Sequence, residues 1–268
     1  MMSLHDDMRL ITTWKSETIH MPVTAPKKLP KLECFDLEPG RKIGGIYIVE
    51  EKLGGGYEGE VYRVTEERTG ISRTAKLFFP HRIEKDVEAR KFAQKLEKLR
   101  DCSIVIQYHH AGAMKIRRHA VTCLISEYVD GMQLSSYIKS HTGKRMPPFK
   151  AIHMFYALMV GLDEIHWKNE YHGDLHSENI LIKPKGVFFD LKLIDFYHRG
   201  RSNKDQRKED IVEAISIFYE AIGGRKHYAS MPPEIKSICL GQRRDSILKT
   251  FPTARHVLEH LENFEWAE

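Results

Sequence analysis

The sequence predicts an α+β fold in two lobes, and three observations support this. The first half of the chain is rich in short β-branched and aromatic runs of the strand type, with one long helical pattern among them. The second half has mostly amphipathic helical patterns, and residues 127–131 (EYVDG) form a natural hinge between the halves. Strands followed by helices are typical of an α+β chain.

The bulk composition is that of a globular protein. With 268 residues, the chain can form one large domain or two closely packed lobes. Its 41% hydrophobic and 29% charged residues are ordinary for a soluble domain. No segment approaches the ~20 unbroken apolar residues of a membrane helix, and the start of the chain carries acidic residues where a signal peptide carries basic ones. We therefore expect a cytoplasmic protein without a membrane partner.

Charge and cysteine content argue against further classes. The net charge of +5 is mild and does not predict a nucleic-acid partner. The four cysteines lack any CxxC pair, which argues against a disulfide framework or a zinc site and favours free, mostly buried thiols.

We expect two regions along the chain. Residues 1–43 contain four prolines and no sustained period, which predicts an N-terminal extension. Residues 44–266 are predicted to form the main domain, with a strand-rich lobe over about 44–128 and a helical lobe over about 132–266. An apolar stripe over residues 211–222 predicts a long helix in the second lobe.

A glycine-rich stretch, residues 54–61 (GGGYEGEV), lies between two strand-like segments. It fits a pattern in which glycines let backbone N–H groups approach phosphate oxygens without an intervening Cβ. Glycine-rich hairpin turns are also common, so the stretch alone leaves a plain turn as the alternative. The flanking strands argue against a dinucleotide fold, in which the glycines open a helix.

Lys76 follows on the next predicted strand. A lysine in a strand is usually a solvated edge charge, but its order after the glycine-rich stretch suggests a lysine that holds α- and β-phosphates. Such a lysine needs a carboxylate to fix it, and the helix predicted to follow offers Glu84, Glu88 and Glu97. We predict Glu88, because it places Phe92 one turn later on the same face, toward the core.

The strongest signal is the segment 171–182 (YHGDLHSENILI), in which Asp174 and Asn179 precede an apolar strand. Asp174 would orient an attacking hydroxyl and accept its proton, while Asn179 would bind a metal through its amide oxygen. Sixteen residues after Asn179, Asp195 ends another strand and would hold Mg²⁺, a hard cation that prefers carboxylate oxygen. The two acids also fit turn formers, but both end apolar runs in the proper order after the loop and the lysine.

From about residue 44 to residue 266, the chain resembles the protein-kinase superfamily. The glycine-rich stretch, Lys76, the EYVDG hinge, HGDLHSEN and DFY occur in family order with compatible spacing. The resemblance implies a bilobal protein-kinase-like fold and the use of ATP with Mg²⁺, or with Mn²⁺ in its place. It also implies that Asp210 braces the catalytic loop from beneath. The ATP-binding residues that it implies are Leu53, Gly54, Gly55, Gly56, Tyr57, Gly59, Val61, Ala75, Lys76, Ser126, Glu127, Val129 and Gln133.

The resemblance gives some of these residues a particular role. Glu127 and Val129 would meet adenine through backbone groups, with Ser126 at the gatekeeper position. Gln133 would lie near the ribose. Val61, together with Leu53, would cover the base.

Several residues depart from the family pattern. Gly173 replaces the arginine common before the catalytic aspartate, so control through a phosphorylated activation loop is not expected. His176 stands where many relatives have a lysine that reaches the γ-phosphate, and it either donates a hydrogen bond to phosphate or only packs. Tyr197 replaces the glycine of DFG, and its Cβ predicts restricted flipping of this segment with metal binding retained. Glu58 places a negative charge at the loop tip, for which solvent exposure is the sole explanation.

The segment after Tyr197 is short. Only a dozen residues separate it from Asp210, and no APE-like motif is present, which predicts a reduced platform for a peptide substrate. Phe251 replaces the arginine that pairs with the missing glutamate in relatives, and losing both avoids an unpaired buried charge. Basic residues in this segment either form a solvated face or attract an acidic or phosphorylated substrate. They are Arg199, Arg201, Lys204, Arg207 and Lys208.

We therefore expect an ATP- and Mg²⁺-dependent serine/threonine protein kinase that can autophosphorylate. A small-molecule kinase of the same fold is the second hypothesis, and a nucleotide-binding pseudokinase that acts as an interaction module is the third. Lys76, Asp174, Asn179 and Asp195 are all present, which counts against the pseudokinase. The hinge, the helix predicted over residues 211–222 and the segment 251–254 (FPTA) near the C-terminus favour the protein-kinase branch, whereas the reduced platform favours a small-molecule alcohol as acceptor.

Overall fold

The computed structural model describes residues 32–82, 87–117, 119–197 and 204–263, with the backbone alone at Glu88. The strands are β1 (Lys42–Ile43), β2 (Tyr47–Gly55), β3 (Gly59–Glu66), β4 (Ser72–Phe78), β5 (Tyr108–Ile116), β6 (His119–Glu127), β7 (Met132–Gln133), β8 (Ile180–Lys185) and β9 (Phe188–Leu193). The α-helices are α1 (Val87–Lys98), α2 (Leu134–Ser140), α3 (Pro148–Trp167), α4 (Lys204–Ala221), α5 (Arg225–Tyr228), α6 (Pro233–Cys239), α7 (Arg244–Thr250) and α8 (Ala254–Asn263).

The small lobe is an antiparallel sheet with strand order β1-β2-β3-β4-β6-β5 and with α1 packed against β5 and β6. The period-2 alternation of strands sets its two faces. In β3, the side chains of Glu60, Tyr62 and Val64 are buried, while Val61 and Arg63 lie on the other face. The predicted strand-rich first lobe with one helix is confirmed for the part of the chain that the structure describes.

The segment before β2 belongs to this lobe. Phe35, Leu37 and Ile43 are at most 5% exposed and join the same apolar core as the sheet. The Phe35 ring stacks on Phe79, with ring centroids 5.1 Å apart. The predicted boundary at residue 44 therefore falls inside the small-lobe sheet, and residues 1–31 of the predicted extension lie outside the described residues.

The large lobe is built around α3, which packs against α4, α8 and β9. The fully buried rings of Phe155 on α3 and Phe218 on α4 stack with centroids 4.8 Å apart. Pro148 is the first residue of α3. A backbone N–H at this position has no acceptor within the helix, so proline costs no hydrogen bond there. The apolar stripe predicted over residues 211–222 lies on α4, and β8 pairs with β9 in an antiparallel hairpin. No described helix is long and apolar enough to cross a membrane.

The lobes meet along the end of β9 as well as at the hinge. The Leu193 N–H donates to the Ile104 carbonyl at 2.7 Å, and Val105 forms a parallel bridge with Leu193. Near the hinge, Lys192 Nζ lies 2.9 Å from Glu127 Oε1. These contacts bring the end of β9 against the small lobe.

Candidate active site

Lys76 of β4 forms ion pairs with two carboxylates in the cleft between the lobes. Its Nζ lies 2.9 Å from Asp195 Oδ1 and 3.0 Å from Glu58 Oε2, and its side chain is only 14% exposed. Burial alone would lower the pKa of Lys76, but the two carboxylates outweigh that effect and hold its pKa above the ordinary value. Lys76 is therefore a fixed positive charge in the cleft.

The carboxylate partner predicted for this lysine was Glu88. The Glu88 side chain lies outside the described residues, as does the alternative Glu84, so that pairing stays a prediction. The third candidate, Glu97, pairs instead with Arg100 at 3.1 Å, near the end of α1.

Glu58 is a residue of the site that sequence reasoning missed. Its sequence position predicts only a solvent-exposed charge, whereas its carboxylate contacts Lys76. The hairpin geometry explains the contact, because Gly59 lies opposite Phe78 and the Phe79 N–H donates to the Glu58 carbonyl at 2.8 Å. Aligning the β2–β3 hairpin residue by residue against β4 would have placed Glu58 near Lys76.

The glycine-rich stretch forms the predicted strand–turn–strand between β2 and β3. At Gly59 a Cβ would lie 1.9 Å from the Leu77 carbonyl oxygen, so only glycine permits this close contact with β4. At Gly54 and Gly56 a Cβ would meet nothing within 4 Å, so no packing contact requires glycine there. The open backbone at these two positions is what a close approach of phosphate oxygens needs.

The remaining residues of the loop lie at its rim. Leu53 is 45% exposed and Tyr57 is 72% exposed, with the Arg82 guanidinium 4.1 Å from the Tyr57 ring centroid. Gly55 ends β2 opposite Glu60. Leu53 and Tyr57 are thus largely exposed at the loop between β2 and β3.

Strand β4 places the predicted residues Ala75 and Lys76 on opposite faces of the sheet. Val61 of β3 lies directly opposite Lys76, on the predicted side of the sheet. Ala75 is fully buried in the small-lobe core with Tyr62, on the opposite face of β4 from Lys76. Successive side chains of a strand point to opposite faces, so Thr74 rather than Ala75 shares the Lys76 face.

The residues predicted to receive adenine lie at the end of β6 and in the hinge. Ser126 is 3% exposed, and the Glu127 N–H donates to the Gln107 carbonyl at 2.9 Å. Val129 is partly buried against the core. The Gln133 side chain donates to the Glu178 carbonyl at 3.1 Å. The structure brings these four residues to one end of the cleft.

The catalytic loop holds Asp174 and Asn179 together. Asn179 is 7% exposed, and its Nδ2 donates to the Asp174 carbonyl at 2.9 Å and lies 3.5 Å from Asp174 Oδ2. His176 Nε2 lies 3.8 Å from the same carboxylate oxygen, and the His176 ring is half-exposed. The three side chains predicted for chemistry in this loop therefore lie together.

The loop is fixed from below by buried groups. The fully buried Asp210 accepts hydrogen bonds from the backbone N–H groups of His172 at 2.7 Å and Gly173 at 3.0 Å. Burial lowers the pKa of His172, and its Nε2 donates to the Ile194 carbonyl at 2.9 Å. The brace expected at Asp210 is thus present, and Glu213, which sequence reasoning missed, adds a bond from the Leu175 N–H at 3.1 Å.

Two residues of the site adopt left-handed backbone angles. Gly173 has φ +88°, and a Cβ there would lie 3.0 Å from the Tyr197 carbonyl oxygen, so glycine relieves both strain and crowding. Asp195 has φ +54°, which is costly for an aspartate and persists only where its surroundings fix it. The departure of Gly173 from the family's arginine therefore has a local structural reason.

Asn179 and Asp195 fit a hard divalent cation by their chemistry. Because Asn179 uses Nδ2 as a donor toward Asp174, its Oδ1 is left as an acceptor. The Asp195 side chain is 44% exposed and supplies carboxylate oxygens. The Ile194 N–H donates to the Asn179 carbonyl at 3.0 Å, which holds the two oxygen donors on adjoining segments. Amide and carboxylate oxygens are the ligands that Mg²⁺ and Mn²⁺ prefer.

Three of the five predicted basic residues lie in the described part of the chain. Arg199 and Arg201 lie outside the described residues. Lys204, Arg207 and Lys208 lie on the first turns of α4, where Arg207 donates to the Asn169 side chain.

Comparison with known proteins gives a consistent result. The family model of the protein kinase domain matches residues 47–235. The human serine/threonine-protein kinase Nek11 (Homo sapiens) is 28% identical over 152 residues, which are 54% of this chain and 23% of that protein. The probable serine/threonine-protein kinase SCO3848 of Streptomyces coelicolor is 26% identical over 163 residues, 60% of this chain and 23% of that protein. The chain thus spans about a quarter of the length of these relatives.

Solved structures show the same fold. The crystal structure of a double mutant of the Mycobacterium tuberculosis PknI kinase domain aligns with a TM-score of 0.62 and 18% identity. The alignment covers 84% of this chain and 98% of that domain. The predicted bilobal α+β fold is confirmed by this likeness.

Proposed function

The chain belongs to the protein kinase family, and we propose that it transfers the γ-phosphoryl group of ATP to a serine or threonine hydroxyl, its own included. The observation that carries the proposal is the convergence of four side chains at one place between the lobes. Lys76 Nζ lies 2.9 Å from Asp195, and the Asn179 side chain donates to the Asp174 carbonyl. The N–H of Ile194, next to Asp195, donates to the Asn179 carbonyl. The charges needed for phosphoryl transfer are therefore assembled under an open glycine loop.

Each side chain has a role that its position supports. Lys76 supplies a permanent positive charge for the phosphates, and Asp174 orients the acceptor hydroxyl and takes its proton. Asn179 and Asp195 would hold Mg²⁺ or Mn²⁺, which neutralises phosphate charge when bound. The fixed backbone around His172 limits reorganisation, so the proposed catalysis rests on positioning and electrostatics.

The first test is incubation of the protein with Mg²⁺ and γ-labelled ATP beside the Asp174→Ala variant. We expect label on the protein and at least about a 100-fold slower transfer in the variant, because the proton acceptor is lost. Asp190→Asn is the matched control, since this exposed aspartate of β9 pairs with Lys185 outside the cleft. Equal labelling by Asp174→Ala and wild type would refute the proposed role.

Lys76→Ala and Asp195→Asn extend the same assay. Both variants should lose turnover while keeping a cooperative melt, because each removes a charge from the cleft and leaves the apolar core intact. Full activity in Asp195→Asn would refute the metal role, and full activity in Lys76→Ala would give that role to another lysine.

A small-molecule alcohol is the second candidate acceptor. The observation that favours it is the short link from Tyr197 to α4, which begins at Lys204 and leaves little chain for a peptide platform. ATP consumption without label on any protein, again lost in Asp174→Ala, would select this candidate. ATP binding without consumption would select the pseudokinase.

The basic start of α4 supports a preference for acidic or phosphorylated acceptors. Lys204 is exposed and Lys208 is half-buried on the first turns of α4, the helix whose Asp210 accepts hydrogen bonds from the catalytic loop. Peptides with acidic or phosphorylated residues should be labelled faster than neutral ones, and equal rates would reject the preference. We also propose a cytoplasmic location, without a membrane or nucleic-acid partner, from composition alone.

A further inference from the structure

Lys95 is a buried lysine on the core-facing side of α1. The residue is 5% exposed, and its Nζ donates to the Tyr197 carbonyl at 3.0 Å. The same ammonium lies 4.0 Å from the Tyr171 ring centroid and 5.6 Å from that of Phe196. Its contacts are thus to the segment that carries Asp195 and to the start of the catalytic loop.

Both backbone groups of Tyr197 are held. Its N–H donates to the His172 carbonyl at 3.0 Å, and its carbonyl accepts from Lys95. Two residues earlier, Asp195 has the costly left-handed φ of +54°. Such a conformation persists where neighbouring contacts over-determine it, and the two bonds to Tyr197 are contacts of this kind.

The position of Lys95 has an energetic cost that packing alone would not require. Burial lowers its pKa to about 8, although the carboxylates of Glu170 and Asp210 act to raise that pKa and Lys98 acts to lower it. An apolar side chain of similar length would fill the same space without desolvating an ammonium. The amino group itself is therefore the feature to explain.

We propose that Lys95 is a positioning residue, whose ammonium ties α1 to the Tyr197 carbonyl and so keeps Asp195 in the conformation used for metal and phosphate. The inference rests on the proposed function for the role of Asp195. The tie itself is a property of the protein without nucleotide or metal. Lys95 touches neither substrate nor reacting atoms in this role.

The first test uses hydrogen–deuterium exchange in the protein without nucleotide and metal. Lys95→Met should accelerate exchange of the Tyr197 amide and its peptide at least several-fold, because a hydrogen bond that holds this segment is removed. Lys91→Met is the matched control, since Lys91 lies on the exposed side of the same helix and should leave that exchange unchanged. Wild-type exchange in Lys95→Met would overturn the proposal.

The second readout separates positioning from folding. In Lys95→Met the Mg²⁺ concentration for half-maximal transfer should rise roughly 10–100-fold, as expected for loss of a group that orients a metal ligand. The melting temperature should not fall, because an apolar side chain replaces a buried charge. A lower melting temperature with unchanged Mg²⁺ dependence would assign Lys95 a structural role and overturn the proposal.

A second variant and an activity measurement on the wild type keep the result decisive. If Lys95→Met does not fold, Lys95→Gln is compared in the same way, because it keeps an N–H donor without the charge and should show a smaller acceleration of exchange. If the wild-type protein shows no phosphoryl transfer, the proposed function fails. The exchange experiment then still decides whether Lys95 holds Tyr197.

Discussion

Glu58 places a carboxylate beside Lys76, where the proposed phosphates of ATP would bind. The contact is 3.0 Å long, and the Glu58 side chain is 39% exposed, so solvent weakens it. An incoming triphosphate must displace this carboxylate from the lysine or accept its repulsion. We therefore expect Glu58 to oppose the proposed binding of nucleotide.

We predict that Glu58→Gln binds ATP about 1.4- to fivefold more tightly, because a partly exposed ion pair contributes roughly 0.2–1 kcal/mol. Isothermal titration with Mg²⁺ and ATP measures the change. Glu67→Gln serves as control, since Glu67 pairs with Lys42 of the edge strand β1 and should leave affinity unchanged. Weaker binding by Glu58→Gln would show instead that the carboxylate supports the loop.

Single residues also show what the sequence could predict. Asp174, Asn179 and Asp195 each follow or precede an apolar strand, and the local pattern was sufficient to select them. Glu58 was missed because its partner is distant in sequence and depends on how a hairpin tip folds over β4. Ala75 follows the family order of motifs, but the alternation of side chains along β4 turns it into the small-lobe core.

At the scale of elements, α1 carries a charged residue on its buried face. The pKa of Lys95 is lowered from an ordinary 10.5 to about 8 in the folded chain. Between these values the unfolded chain binds a proton that the folded chain does not, so raising the pH favours folding. The destabilisation is fully present below about pH 8 and is removed progressively up to pH 10.5.

We therefore predict that the unfolding free energy of wild type, relative to Lys95→Met, rises as the pH rises from about 8 to 10.5. Urea unfolding of both proteins at several pH values in this window measures the difference, and other titrating groups cancel in the comparison. A constant difference across the window would contradict the lowered pKa.

Helix α4 shows how much of an element its sequence pattern specifies. The apolar stripe predicted the helix, and family resemblance predicted the brace at Asp210. The bond from Leu175 to Glu213 was not predicted, because it requires knowing which turn of α4 lies below the loop. Helix period gives a face reliably, whereas the partner of that face is a property of packing.

At the scale of the whole molecule, the small lobe begins earlier than its strand pattern suggested. Phe35 and Leu37 complete its core, and the backbone N–H of Phe35 donates to the buried Glu60 carboxylate at 3.1 Å. The proline-rich composition concealed this, because the contacts are made by a few isolated apolar residues without a period.

We predict that a chain beginning at residue 44 is less stable than one beginning at residue 32. Loss of three buried side chains at roughly 1.5–3 kcal/mol each gives a decrease on the order of 5 kcal/mol. Chemical unfolding of the two chains measures it, with the full chain as reference. Equal unfolding free energies would mean that residues 32–43 pack on the core without stabilising it.

The contacts at the end of β9 constrain how the lobes move. Ile104 and Val105 contact Leu193 of the large lobe just before the chain enters β5, and the chain leaves the small-lobe sheet at Glu127, the end of β6. These two attachments are themselves joined, since the Glu127 N–H donates to the Gln107 carbonyl. The small-lobe sheet is therefore attached to the large lobe at two neighbouring points, which permits rotation about one axis and resists twisting about the others.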